Sequence, residues 1–352
     1  MLPTEALVKF QCVCTDWRDL IRDRNFIKKH HRYLASKGKS YLLLIPSEHT
    51  TDRAFRLLCD KTFDRALDIE LPLDLIPTSF VIVGSFNGLL CLADTTSFGT
   101  TIYMCNPSIR KYRTINFPIT DVNISLGFGY HDETDDYKVV RIASSPLEED
   151  VTVNYIGFET LNNTKIEVYS LTTNLWKDIE VDNFPWELFD ARSDVVVNES
   201  IHWKAIYRDT HEDIMVILAF HIGEEVFRPL SFPNYLSDGE DLMEYVGVYK
   251  GSLSLFVFHL ADQDPWDEKC YVWVMREYGV VSSWTKVHSV RINPGVVTPH
   301  TFTQNNEIIY ENGRGETVVY HFDTHTTTVL IGQEQAFLDS VTYVDSLVML
   351  QD

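Results

Sequence analysis

The 352-residue sequence lacks any run of about 18 apolar residues, so no membrane span is expected. Its first residues have no charged start followed by a long apolar stretch, so no secretory signal is expected either. Cysteine is sparse. Six residues, at 12, 14, 59, 91, 105 and 270, form no Cys-x-x-Cys pair and no dense framework. Lone thiols in apolar runs point to a reducing compartment, cytoplasm or nucleus. Catalytic and ligand signatures are missing as well. There is no His-Glu-x-x-His, no EF-hand spacing and no Gly-x-x-x-x-Gly-Lys loop, so no metal or cofactor is expected. Gly84-Ser85-Phe86-Asn87-Gly88 places its serine wrongly for a nucleophile elbow; Asn87-Gly88 reads as a hairpin turn.

Positive charge is scarce, and its distribution is uneven. The formal net charge is −21. Residues 1–40 hold nine Lys and Arg against four Asp and Glu, a net of +5; the rest hold 21 against 47, a net of −26. Such a body repels phosphate, which excludes nucleic acid as its main ligand, and it favours plain solubility or a basic protein partner.

Two periodicities divide the chain. Leu7, Phe10, Cys14, Trp17, Leu20 and Ile21 recur at steps of three and four, the spacing of one face of a helix or a broken helix pair. Phe26, Ile27, His30 and Leu34 predict a second helix, with Asn25 as its cap and Gly38 as its end. From Tyr41 onward, runs of four to eight β-branched and aromatic residues alternate with Asn, Gly, Asp and Pro clusters.

These runs recur as five four-strand units over residues 80–331, each about the length of a propeller blade. Tyr41–Ile45, Arg56–Leu58, Ala66–Leu71 and the C-terminal run Val341–Leu350 remain, and together they predict a mixed sixth blade. The expected fold is mainly β: a short helical segment at 1–38, then a six-bladed β-propeller-like domain at 39–352.

Residues that could carry chemistry are few. His321 and His325 lie four apart, a spacing that suits a metal only on a helix, whereas a strand is expected there. His30-His31, beside Lys28, Lys29 and Arg32, read as a solvated basic face. The acidic clusters at 132–136, 148–150 and 238–241 read as solvated turns. Trp176, Trp203, Trp273 and Trp284 sit in strand patterns and read as packing residues. Trp186 and Trp266 each follow a proline in an expected loop, where a tryptophan can serve as a contact hot spot; both are assigned to substrate binding.

Leu2-Pro3, Leu7, Phe10, Cys12-Val13-Cys14, Trp17-Arg18, Leu20-Ile21 and Phe26-Ile27 resemble the latter part of plant F-box modules. The helix that precedes the Leu2 position in that family is not in this sequence, so segment 1–38 reads as a partial F-box. The body resembles the F-box-associated, kelch-like domain. It does so through Asn87–Leu92, Asn106–Lys111, Gly127–Tyr130, Asp135–Val140, Glu167–Leu171 with Trp176, and Trp273–Met275 with Tyr278-Gly279 and Ser283-Trp284.

The resemblance implies a non-catalytic substrate-recognition subunit of a Skp1–cullin–F-box ubiquitin ligase. Leu2, Pro3, Leu7, Phe10, Val13, Cys14, Trp17 and Leu20 would bind a Skp1-like adaptor, and through it a cullin. The β-domain would hold a protein substrate for ubiquitination. A subset of the family, the pollen S-locus F-box proteins of self-incompatibility, takes basic ribonucleases, with which the acidic body is compatible. The alternative is an interaction module no longer coupled to a ligase.

Overall fold

A computed structural model describes residues 2–46, 55–69, 80–94, 101–117, 123–145, 163–181, 184–190, 192–193, 195–207, 214–234, 242–259, 269–291, 296–303, 307–331 and 337–350. Three helices open the chain, and six sheets of four or five strands follow. The fold class is mainly β, a six-bladed β-propeller behind a short helical segment. Two compact units make up the chain: Met1–Pro118 with Leu260–Lys269 and Val290–Asp352, and Ile119–His259 with Cys270–Ser289.

In the first unit the opening blade is mixed, as expected. Phe337–Val344, from the end of the chain, pairs antiparallel with Ser40–Pro46, which continues to Phe55–Cys59 and Arg65–Ile69. Phe80–Phe86, Leu89–Asp94, Thr101–Asn106 and Lys111–Asn116 form a second blade, and Val296–Phe302, Ile308–Asn312, Thr317–His321 and Thr326–Ile331 a third. Within a blade the sequence pattern follows depth. Leu89–Asp94 is buried throughout and reads as a continuous apolar run, whereas the outermost Lys111–Asn116 is largely exposed.

One part of the sixth blade differs from expectation. The strand ends at Val344, and Leu347–Leu350 is irregular, although Leu347 and Leu350 are buried. This coil is held by side chains rather than by a ladder. The buried Asn106 donates from Nδ2 to the carbonyls of Ser346 (3.1 Å) and Val348 (2.9 Å), and the Ser346 amide donates to Ser108 Oγ. Ser108 also bonds Tyr343 and Asp345, so Asn106-Pro107-Ser108 acts as a clamp on the end of the chain.

Gly88 belongs to the same contact. Its φ of +78° completes the Asn87-Gly88 turn, and a Cβ there would lie 2.1 Å from Ser346 Cβ and 2.7 Å from the Val344 carbonyl. Gly88→Ala is therefore expected to cost about 2 kcal/mol, through overpacking and an unfavourable φ. Chemical denaturation checks this, and an unchanged midpoint would refute it.

In the second unit, strands Asn123–His131, Asp136–Ser145, Asn163–Ser170 and Leu175–Ile179 make one blade. Ser200–Tyr207, Ile214–His221 and Val226–Ser231 make most of the next, and Leu242–Tyr249, Ser252–His259, Lys269–Met275 and Trp284–Arg291 the last. A recurrent hairpin explains the repeat seen in the sequence. An aromatic residue sits next to last in one strand, the residue five later adopts positive φ, and an aromatic two beyond faces the first. Tyr130/Asp135/Tyr137, Tyr169/Asn174/Trp176 and Phe220/Glu225/Phe227 follow this rule, with ring centroids 4.8, 5.3 and 4.8 Å apart.

Candidate functional site

The N-terminal segment folds as α1 (Thr4–Phe10), α2 (Thr15–Arg22) and α3 (Arg24–Ser36). The 3–21 pattern is thus a broken pair. The cap of α3 is Asp23, whose carboxylate accepts from the Phe26 amide at 2.9 Å, and not Asn25 as the sequence suggested. Gly38 ends the segment at φ +63°, its amide donating to the Ala35 carbonyl.

One face of these helices is buried. Leu7, Ile21 and Ile27 cluster with Leu347, and Ile109 and Val348 pack against them, so the helices rest on the clamped C-terminal coil and on the Pro107–Ile109 turn. The same cluster forms the floor of a groove of about 270 Å³ lined by Leu2, Leu7, Phe10, Trp17, Leu20, Ile21 and Phe26, with almost no polar surface. Trp17 meets Phe10 edge-on at 5.2 Å. Leu2 is 48% exposed, Trp17 46% and Leu20 57%, so the groove lies open to solvent.

Five of the eight residues assigned to adaptor binding converge here: Leu2, Leu7, Phe10, Trp17 and Leu20. Pro3 caps α1, while Val13 and Cys14 are exposed on the link to α2 and do not line the groove.

His30 corrects the sequence reading. It is not on a solvated face but fully buried, stacked on Phe26, with Nε2 2.8 Å from the Leu2 carbonyl. Burial, reinforced by His30 and Arg32, lowers the pKa of the adjacent His31. The signal for burial was present, because His30 lies three residues beyond Ile27 and four before Leu34 on the apolar stripe. The neighbouring basic residues hid it.

The other singled-out residues divide. Trp186 lies on the short strand Trp186–Leu188, not in a loop, and is half-buried against Phe184 and Tyr207. Trp266 and the clusters at 148–150 and 238–241 lie outside the described residues. In the cluster at 132–136, Asp135 accepts from the Tyr130 hydroxyl and the buried Asp136 from the Thr172 amide, so both carboxylates fasten turns. His321 bonds Glu307 and Thr328, and His325 bonds the Tyr320 hydroxyl. Among the described residues no group of three or more His, Cys, Asp or Glu is placed to hold a metal. Cys91, Cys105 and Cys270 are buried and their pKa values raised, Cys105 to about 12, while Cys12 and Cys14 are exposed.

The propeller coincides with one protein class. The F-box associated beta propeller domain model matches residues 62–349. The chain belongs to that family. F-box protein CPR1 of Arabidopsis thaliana is 29% identical over 310 residues, covering 82% of this chain and 70% of that protein. F-box/kelch-repeat protein At3g23880 of the same plant is 26% identical over 306 residues, covering 82% and 76%. Among solved structures, an oligogalacturonate lyase from Vibrio parahaemolyticus superimposes with a TM-score of 0.46 at 10% identity, over 84% of this chain and 75% of that one.

Proposed function

We propose that the chain is the substrate-recognition subunit of a Skp1–cullin–F-box ubiquitin ligase. The groove between α1, α2 and the start of α3 receives apolar side chains of a Skp1-like adaptor, and the propeller domain holds a protein target. The receptor contributes placement and effective concentration, not bond chemistry. The open groove carries this reading. Half-exposed Leu2, Trp17 and Leu20 around an almost wholly apolar hollow form a surface that gains from being covered. A basic target in the cytoplasm or nucleus is supported by the acidic body and the free thiols. A ribonuclease target of pollen recognition is the narrower form of the reading and rests on the sequence resemblance alone.

Co-purification with a Skp1-like adaptor tests the proposal. The wild-type chain is expected to retain the adaptor. Trp17→Ala, which removes one large apolar side chain from the groove, is expected to weaken retention by roughly tenfold or more. If the folded wild-type chain retains no adaptor, the alternative stands: an interaction protein uncoupled from the ligase.

A further inference from the structure

One buried side chain touches two residues of the groove lining from behind. His30 belongs to the apolar stripe of α3, between Ile27 and Leu34, and is fully buried. Its Nε2 lies 2.8 Å from the Leu2 carbonyl, which can only accept, so Nε2 donates. Its ring stacks on Phe26, with centroids 6.2 Å apart and planes inclined by 13°. Leu2 and Phe26 both line the groove.

Stability alone does not account for an imidazole at this position. Nδ1 is buried with no hydrogen-bond partner among the described residues, and a buried polar atom without a partner costs free energy. Leucine would continue the stripe without that cost. What the imidazole adds is a donor that reaches a carbonyl 28 residues away. That carbonyl belongs to a segment at the edge of the fold. Leu2 is half-exposed and precedes α1, which has no side-chain cap. The Pro3 carbonyl accepts from the Ala6 and Leu7 amides, so the first turn of α1 hangs from the same segment.

We infer that His30 is a positioning residue of the groove: it holds the Leu2 carbonyl and backs Phe26, and so keeps two apolar walls in place for the adaptor. Being fully buried, it acts through these two residues and not by contact with the partner. Without the donor, the Leu2 carbonyl turns to water and carries the Leu2 side chain away from the hollow. The groove then loses a wall, while Leu7, Ile21, Ile27 and Leu347 stay packed beneath it. This inference rests on the reading of the groove as an adaptor site.

Two substitutions in the full chain separate the donor from the bulk. His30→Leu fills the site without a donor, and His30→Gln keeps an N–H that can reach the Leu2 carbonyl. The leucine variant is expected to retain a Skp1-like adaptor about tenfold more weakly with its urea midpoint near the wild-type value, and the glutamine variant to restore retention. Hydrogen exchange followed by mass spectrometry, without adaptor, gives a second readout. The peptide 2–10 contains the Ala6 and Leu7 amides; it should exchange about tenfold faster in the leucine variant and at the wild-type rate in the glutamine variant. If His30→Leu does not fold, His30→Met, whose flexible side chain adapts to irregular space, takes its place. Undiminished retention in the folded leucine variant, equal loss in both variants, or unchanged exchange overturns the inference. A wild-type chain that binds no adaptor, but whose leucine variant shows the faster exchange, defeats the ligase reading and leaves the hold of His30 on the groove standing.

Discussion

Trp203→Ala is expected to destabilise the protein by about 3–5 kcal/mol, the range for deleting a buried large aromatic side chain. Trp203 is 1% exposed, and its indole Nε1 donates to the Leu126 carbonyl of the neighbouring blade at 3.2 Å. Its ring lies so close to that strand that a Cβ on Gly127 would come within 2.5 Å of it, while a Cβ on Gly129 would lie 2.3 Å from Ile222. The Gly127-x-Gly129 spacing thus leaves the room that Trp203, Ile201 and Ile222 fill. Deleting the indole opens a cavity beside Gly127, which has no side chain to move into it, and strands the Leu126 carbonyl. Trp203→Phe keeps most of the volume and loses the hydrogen bond, so a smaller loss is expected. Urea unfolding followed by circular dichroism measures both. A loss under about 1 kcal/mol for the alanine variant would show that the blades close around the gap.

The blades of the second unit were legible in part because one local device recurs in them, and local devices are written in sequence. Tyr169, Asn174 and Trp176 can be read as strand end, αL corner and cross-strand partner without knowing where the blade sits. Gly88 was legible as a turn, but its approach to Ser346 joins residues 258 positions apart and leaves no local trace. The same holds for Leu347–Leu350, whose apolar pattern reads as a strand. Its backbone is held by Asn106 instead of by a neighbouring strand, and Leu347 supports the helices. Of the adaptor residues, Leu7, Phe10, Trp17 and Leu20 of the helical pattern line the groove, together with Leu2. Cys14 of the same pattern does not, nor does Val13, because both lie on the link where the helix breaks between Phe10 and Thr15. Trp186 was misplaced because Pro185 signals a loop, whereas a proline just before a short edge strand is equally well tolerated. The pairings of Trp186–Leu188, Arg192–Ser193 and Val196–Val197 were not legible at all, because they alternate between two blades and each is only two or three residues long.

Acidification is expected to remove about 3 kcal/mol of stability between pH 6.5 and pH 4 through one residue, His202. It is 1% exposed, and burial lowers its pKa from 6.5 to about 4, outweighing hydrogen bonds to the Val195 and Ser200 backbone. Nδ1 lies 3.2 Å from the Val195 carbonyl, which can only accept, so Nδ1 carries the proton. Nε2 therefore accepts from the Tyr278 hydroxyl at 2.9 Å, and the neutral ring links two blades of the second unit. Above pH 6.5 the ring is neutral in both folded and unfolded chains, and its contribution is complete. Below pH 6.5 the unfolded chain takes up a proton that the folded chain refuses, so stability falls until the folded ring also protonates near pH 4. Asp190 and Asp345 act with the opposite sign: burial raises their pKa values, so their uptake of protons on acidification favours the folded chain. A difference between variants isolates the histidine. Urea midpoints of the wild type and His202→Gln at pH 7 and pH 4.5 should show a lower stability for the variant at pH 7 and a smaller fall on acidification. An undiminished fall in the variant would assign the acid sensitivity to other groups and break the link between His202 burial and its charge.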